Sequence, residues 1–379
     1  MNDIHAGSTP ILQFGTSRFL LAHADLFISE ALENGEAPGG ITVVQTTGNA
    51  ESLARIVALS EGEGYPVRVR GMIDGRPSDE VKTGRAVLGG LSAATDWVSV
   101  RRAFVAADIV ISNTGDRGYE LDARDTAETV ADRTRPPLSF PAKLAVLLLE
   151  RFEERPDAAV SLYPCELIQN NGDRLQDIVR QLAVDWKFPS AFLAHFDRDC
   201  HFANSLVDRI VSEAIQPVGA VCEPYGLWAI ERKDGLILPC RHPSVVLTED
   251  LLPFERLKLH ILNLGHTVLA ELWRQAGSKP DALVRDAIAG SDGQRLDQIW
   301  REEVLPGFAS VGMGDEAADY IRITRERFEN PFLDHRLADI AGNHAEKARR
   351  RIGAFIEWID ENGSVPMPNL REILAQAQG

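Results

Sequence analysis

Apolar and polar positions fall into short alternating blocks along the first half of the chain. Ile11-Leu12-Gln13-Phe14 is a mostly apolar run that stops at Gly15, and apolar residues then recur at helical spacing from Arg18 to about Leu32. After Gly39-Gly40, the β-branched stretch Ile41-Thr42-Val43-Val44-Gln45 reads as a second strand and Ala50 to Leu59 as a helix. Tyr65 to Val69 reads as a strand, Trp97 to Ala106 as a helix, and Asp108 to Ser112 as a strand ending in Asn113-Thr114-Gly115. Pro141 to Phe152 reads as a helix with proline in its first turn, followed by a buried strand from Ala158 to Leu162. Strands and helices alternating at this spacing predict a parallel sheet covered on both faces.

The pattern changes near Asp250. Leu257–Gln275, Pro280–Ala289, Leu296–Val304, Ala317–Arg327 and Leu333–Asp360 all carry helical periodicity, with Pro306-Gly307 and Asn362-Gly363 as expected breaks. The predicted class is α/β. A Rossmann-like, mostly parallel, dinucleotide-binding domain over 1–250 precedes a mainly α-helical domain over 251–379 that is expected to carry substrate and catalytic residues.

Composition narrows the partners. Against 40 Lys+Arg stand 56 Asp+Glu, a formal charge of −16, which opposes nucleic acid and anionic membrane because both require a basic footprint. A small anion held by a few local cations remains compatible with that charge. Cys165, Cys200, Cys222 and Cys240 form no C-x-x-C pair, and no second cluster completes zinc spacing, so no metal is expected. The N-terminal residues lack a basic stretch followed by an apolar one, and no apolar run is long enough to span a bilayer. A cytoplasmic protein, monomeric or weakly dimeric, is the expectation.

Candidate chemistry lies at the ends of the predicted strands. The turn Phe14-Gly15-Thr16-Ser17-Arg18-Phe19 opens a helix, the position where backbone N–H groups receive a pyrophosphate. Only the first glycine of G-x-G-x-x-G is present, so the turn reads either as a cofactor turn or as an ordinary strand–helix connection. The ribose-binding carboxylate expected near the end of the second strand is replaced by Gln45-Thr46-Thr47-Gly48, with Glu51 the first acid. Glu51 is either a ribose ligand or a solvated residue of the next helix, and NAD against NADP stays open here. Asn113, Thr114 and Gly115 are either cofactor contacts or turn chemistry.

The helix carrying Lys258-Leu259-His260-Ile261-Leu262-Asn263-Leu264-Gly265-His266 is more informative. At roughly 100° per residue, Lys258, Asn263 and His266 sit at about 0°, 140° and 80°. Apolar neighbours favour the neutral, basic form of a lysine, an asparagine amide can donate to a developing alkoxide, and a histidine can orient a hydroxyl. The alternative is a helix whose polar residues edge an exposed face. Cys165-Glu166-Leu167-Ile168-Gln169-Asn170-Asn171-Gly172-Asp173 places Asp173 to cap a following helix, and Asp208 beside Arg209 is most simply an ion pair.

Taken together, these segments resemble the mannitol dehydrogenase family of long-chain, metal-independent polyol dehydrogenases. Lys258, Asn263 and His266 match its K-x4-N-x2-H signature, Cys222-Glu223-Pro224-Tyr225-Gly226-Leu227-Trp228 its E-P-[FY]-x-x-W segment, and Asn204-Ser205-Leu206-Val207-Asp208-Arg209-Ile210 its N-x-[LM]-V-D-R-I block. The likeness runs from about Ile11 to Ile352. Pro141-Ala142-Lys143-Leu144, Pro164-Cys165-Glu166-Leu167-Ile168 and Arg327-Phe328-Glu329-Asn330-Pro331 incline it to the branch acting on the altronate–tagaturonate pair.

The resemblance implies an NAD-dependent oxidoreductase, with NADP open, that interconverts a secondary alcohol of a linear sugar acid or polyol with its ketone. Lys258 would be the general base, Asn263 the oxyanion donor and His266 the orienting group. Glu166, Asn170, Asn171, Asn204, Asp208, Arg209, Arg327 and His335 are the candidate substrate residues. Leu167 stands where the polyol enzymes carry an asparagine donor, so Asn170 or Asn171 would have to replace it. A polyol or polyol-phosphate dehydrogenase and a non-catalytic dinucleotide sensor are the rival readings.

Overall fold

The computed structural model describes residues 9–46, 50–115 and 117–378. Its strands are β1 (Ile11–Phe14), β2 (Ile41–Gln45), β3 (Tyr65–Ile73), β4 (Arg76–Gly84), β5 (Val87–Ser92), β6 (Ile109–Ser112), β7 (Val160–Pro164), β8 (Cys200–Phe202), β9 (Ser205–Asp208), β10 (Val211–Ala214), β11 (Ala220–Cys222), β12 (Leu227–Glu231) and β13 (Val245–Thr248). The chain divides into two compact units, Met1–Arg68 with Val81–Leu251, and Val69–Glu80 with Leu252–Gly379. Residues 69–80, the hairpin end of β3 and β4, thus group with the helical part and not with the surrounding sequence.

In the first unit a six-stranded parallel sheet runs in the order β5-β2-β1-β6-β7-β8. Counting those strands alone, the order is the 3-2-1-4-5-6 of dinucleotide folds, with the switch point between β1 and β6. β1, β6 and β7 are buried along their whole length, because helices cover both faces and neither side can be polar. Phe14 anchors the core, its ring 5.3 Å from that of Phe140 and 6.3 Å from that of Phe104. The helix Phe140–Glu154 has proline in its first turn, as expected, and Ser139 at its N-cap. Asp125 accepts the Leu138 and Ser139 N–H groups and the Ser139 hydroxyl, which fixes the start of that helix.

Two smaller sheets, β10-β11-β3-β4 and β13-β12-β9, were not anticipated from the pattern. The strand expected at Tyr65 to Val69 is the first part of β3, which alternates buried and exposed positions over nine residues. Its partner β4 is largely exposed, and β9 to β13 are only three to five residues long, too short for an alternation to mark them. The helix after β7 spans Asn171–Asp185, and its N-cap is Asn170 in the left-handed region at φ 52°. Asp173 lies inside the first turn and is not the cap that its position suggested.

The helical unit departs from its predicted helices at informative places. The run from Leu252 to Gln275 is continuous, but Lys258–Asn263 within it is a π-helix, with the Leu264 N–H bonded to Leu259 O five residues back. A second run, Ser291–Ser310, carries a π-segment at Trp300–Val304, and a third, His344–Asn362, carries one at Arg349–Gly353. Pro306 was expected to break its helix and does not. It follows a π-turn in which the Leu305 N–H bonds Trp300 O, and widening the ladder there relieves the clash a proline ring makes with the preceding turn. The predicted helix Leu333–Asp360 is instead interrupted at Ala341–Asn343, where Asn343 adopts φ 55°. A further helix, Pro368–Gln378, closes the chain. Inside this unit Asn330 Nδ2 donates to Arg70 O at 3.3 Å, and the Arg70 guanidinium lies 5.6 Å from the Phe332 ring centre.

Candidate active site

At the switch point of the parallel sheet, Gly15 has φ +114°, and a Cβ there would lie 2.4 Å from Asn113 O. No side chain fits, which is the physical reason this turn begins with glycine. Gly15 N donates to Val44 O and Asn113 N to Phe14 O, each at 3.0 Å, so the turn is pinned to both neighbouring strands. Ser17 Oγ accepts the Leu20 N–H at 3.2 Å and caps the short helix Arg18–Leu21. Phe19 stacks on His23 with ring centres 4.7 Å apart. This tight, capped turn fits the pyrophosphate of a dinucleotide. Gln45 is buried at the end of β2, and Thr46 follows it. Thr47, Gly48 and the side chain of Glu51 lie outside the described residues, and so does their ribose assignment.

Thr114 and Glu166 form a buried clasp between the ends of β6 and β7. Glu166 Oε1 accepts the Thr114 N–H and hydroxyl, both at 3.0 Å, while Oε2 accepts the Ser112 hydroxyl at 3.1 Å and the Tyr119 hydroxyl at 3.4 Å. Burial pushes the Glu166 carboxyl above the usual range, with the Thr114 and Ser112 donors working against the shift. Asn113 Nδ2 donates to Cys165 O at 2.8 Å across the same strand ends. A pocket of about 380 Å³ opens beside Thr46, Thr114, Ser139, Phe140 and Lys143. Lys143 is nearly buried, donates to Leu138 O at 2.7 Å, and is pushed down to about 8 by burial, with Asp125 opposing the shift. Its charge was invisible as a site feature because in the sequence it is one polar residue on an otherwise apolar helix.

Several candidates prove to be framework. Asn171 Nδ2 donates to the carbonyls of Pro164, Glu166 and Ser205, and its Oδ1 accepts the N–H groups of Gly172 and Ser205. That amide has no capacity left for a substrate oxygen. Asn204 is likewise committed, to the Asp173 N–H and to the carboxylates of Asp173 and Glu231. Arg209 spends three N–H groups on the carbonyls of Glu223 and Ala22, and its guanidinium lies 5.5 Å from the Phe27 ring centre. Asp208 is buried at the end of β9, opposite Leu227 of β12. Asn170 is exposed, as is Leu167 at 77%.

In the helical unit the π-helix changes the geometry of the signature. Five residues of an α-helix separate Lys258 from Asn263 by roughly 140°, whereas an i→i+5 ladder returns the fifth residue to nearly the side of the first. Lys258 opens the π-turn, Asn263 closes it, and His266 sits buried in the first turn of the helix that follows. The His266 ring lies 4.3 Å from Phe328 and 4.8 Å from His335. Burial pushes the His335 imidazole below its ordinary value, opposed by Asp339. Arg327, adjacent to Phe328, is buried with Nη1 3.5 Å from the Tyr320 hydroxyl. Gly265 permits the close packing, since a Cβ there would meet Trp300 at 2.8 Å and Phe328 at 3.2 Å.

A parallel sheet of this order with a glycine turn at its switch point, followed by a helical unit bearing lysine, asparagine and histidine on one element, defines a two-part dinucleotide-dependent dehydrogenase. A family model described as the mannitol dehydrogenase Rossmann domain matches residues 9–237, and one described as the mannitol dehydrogenase C-terminal domain matches residues 250–377. The chain belongs to the mannitol dehydrogenase family. It is 31% identical over 385 residues to an altronate oxidoreductase of Bacillus subtilis (strain 168), covering 94% of this chain and 76% of that one. The same-named protein of Halalkalibacterium halodurans is 30% identical over 382 residues, covering 94% and 72%. Among solved structures, a substrate-free D-sorbitol dehydrogenase superposes with a TM-score of 0.75 at 19% identity, covering 95% of this chain and 78% of that one. Pseudomonas fluorescens mannitol 2-dehydrogenase, solved with NAD and D-mannitol, gives 0.69 at 18%, covering 99% and 85%. These two establish the fold. Among the described residues no group of three or more His, Cys, Asp or Glu could hold a metal, and no helix is long and apolar enough to cross a membrane.

Proposed function

We propose that this chain is an NAD-dependent dehydrogenase that interconverts a secondary alcohol of a linear hexonate with its ketone, the altronate–tagaturonate pair being the first substrate to assay. The observation that supports the reading is the π-turn from Lys258 to Asn263, since an i→i+5 ladder brings its first and sixth residues closer to one side than an α-helix would. NAD supplies the hydride acceptor when bound, and the Gly15 turn and Thr114 would hold it. Neutral Lys258 takes the hydroxyl proton in the oxidation direction. Asn263 donates to the oxygen as negative charge develops there, a contact stronger in the transition state than in the ground state. His266, packed between Phe328 and His335, orients a neighbouring hydroxyl.

The substrate carboxylate is assigned to Arg327, with His335, whose ring lies 4.8 Å from that of His266, as a neutral hydrogen-bonding partner. A chain of charge −16 repels an anionic sugar acid at long range, so a local cation is required. The test is a panel of altronate, altritol, mannitol, arabinitol and mannitol 1-phosphate with NAD and with NADP, run beside Lys258→Ala. Altronate oxidation by the wild type, abolished in the variant while NADH binding persists, is the expected result. Turnover of a polyol alone would move the substrate to that class. Nucleotide binding with no turnover on the whole panel would make the protein a sensor.

A further inference from the structure

Two of the π-turns in the helical unit are joined to each other, and the joint lies at Asn263. Arg351, in the π-segment Arg349–Gly353, donates from Nη1 to the Thr267 hydroxyl at 3.1 Å and, at a longer 3.4 Å, to Asn263 O. The Thr267 hydroxyl itself donates to Asn263 O at 2.8 Å. In the opposite direction, His260 Nδ1 lies 3.0 Å from Arg351 O. A carbonyl only accepts, so Nδ1 carries the proton in that bond. Burial pushes His260 down to about 4, so its ring stays neutral and the bond does not depend on charge near neutral pH.

A π-turn is less favourable than the α-helix around it, because its hydrogen-bond ring is wider and leaves a void at the axis. It persists where outside contacts fit it and not the α-helical alternative. Thr267 binding back to the residue four positions earlier bends a helix locally, and Arg351 adds a charged donor to the same place. His260 lies inside the π-turn itself, between Lys258 and Asn263. Reverting the turn to α-helix would rotate His260 and Asn263 O away from Arg351 together.

We infer that Arg351 is a positioning residue for the reaction: with Thr267 and His260 it holds the π-turn that keeps Lys258 and Asn263 on one side. It acts through Asn263 and not on substrate. The inference rests on the function proposed above and deepens it.

The experiment compares Arg351→Ala, Arg351→Lys and Thr267→Val with wild type on the substrate that the panel identifies. Arg351→Ala is expected to lower kcat about 100-fold, the scale of a small misplacement of a catalytic pair, with substrate KM and NADH Kd within about threefold. Millimolar guanidinium should restore at least about a tenth of the lost rate by refilling the site. Lysine can reach one acceptor but not present a fork, so Arg351→Lys should fall between the two. Thr267→Val, nearly isosteric, should lose about tenfold in kcat and tests the joint even if Arg351→Ala does not fold. Unchanged kcat in Arg351→Ala or Thr267→Val, or a loss confined to KM, overturns the inference. Failure of the proposed function is separate, since it would show as Lys258→Ala turning over at the wild-type rate.

Discussion

Gly15 and Asn113 are so close that the turn after the first strand has no room for a methyl group, the missing Cβ falling 2.4 Å from the Asn113 carbonyl oxygen. That oxygen belongs to backbone fixed by the Asn113 N–H to Phe14 O bond, so it cannot yield cheaply. Gly15→Ala must also strain a φ of +114°. A loss of about 3 kcal/mol in urea unfolding is expected, the scale of overpacking combined with a forbidden backbone angle. NADH binding should weaken with it, read by fluorescence titration under conditions where the variant remains folded.

Asn263→Ala should separate the amide's role from folding. Removing one donor to a developing oxyanion costs about 10²–10³ in kcat, with NADH affinity unchanged. Single-turnover kinetics with the substrate found by the panel measures this. A variant that loses only substrate affinity would relocate Asn263 from chemistry to binding.

The Glu166 clasp predicts that two substitutions will differ in size. Glutamine can keep an oxygen toward the Thr114 N–H and turn its NH2 toward the Ser112 and Tyr119 hydroxyls, which can accept. Glu166→Gln should therefore cost no more than about 1 kcal/mol, whereas Glu166→Leu strands the half-buried Thr114 N–H together with the Thr114 and Ser112 hydroxyls and should cost about 1–3 kcal/mol. Thermal unfolding of both at one pH is the comparison.

Asp25 gives the chain a pH dependence of its own. It is fully buried, its Oδ2 accepts from Gln13 Nε2 at 3.2 Å, and the same Nε2 reaches Gly15 O at 3.3 Å. Burial pushes its carboxyl up to about 7, with the Gln13 bond pulling the other way. Between the ordinary value of about 4 and the folded value, the folded chain keeps a proton that the unfolded chain has lost. Its contribution is thus fully present below about pH 4 and is lost as pH rises through about 7. Asp25→Asn should flatten unfolding free energy across that window and exceed wild type above it by about 1–3 kcal/mol.

How much of this was legible in the sequence depends on which period each element follows. β1, β2, β6 and β7 announce themselves as apolar runs because a parallel strand covered on both faces has no polar side to show. The strands from β8 to β13 are only three to five residues long, too short for a period to show, so their pattern merges with the surrounding loops. Lys258, Asn263 and His266 stand out as candidates by their spacing, but counting at 3.6 residues per turn sets the first two about 140° apart. The π-turn that aligns them depends on Arg351, nearly ninety positions away, which no local window contains. Asn171 and Asn204 illustrate the opposite case, polar residues near strand ends that suggest a ligand contact but whose amides are occupied within the fold. Asn171 is occupied by backbone groups, and Asn204 by the Asp173 N–H and the carboxylates of Asp173 and Glu231.

The hairpin end of β3 and β4 carries a consequence for engineering. Because Val69–Glu80 groups with the helical unit, the polypeptide visits that unit twice, and no single cut separates the halves. A fragment beginning at Leu252 would hold Asn330 and Phe332 without Arg70, whose carbonyl accepts from Asn330 and whose guanidinium lies over the Phe332 ring. The helical half is therefore not a transferable cassette. Any chimera meant to import another relative's substrate preference has to graft the loop along with it.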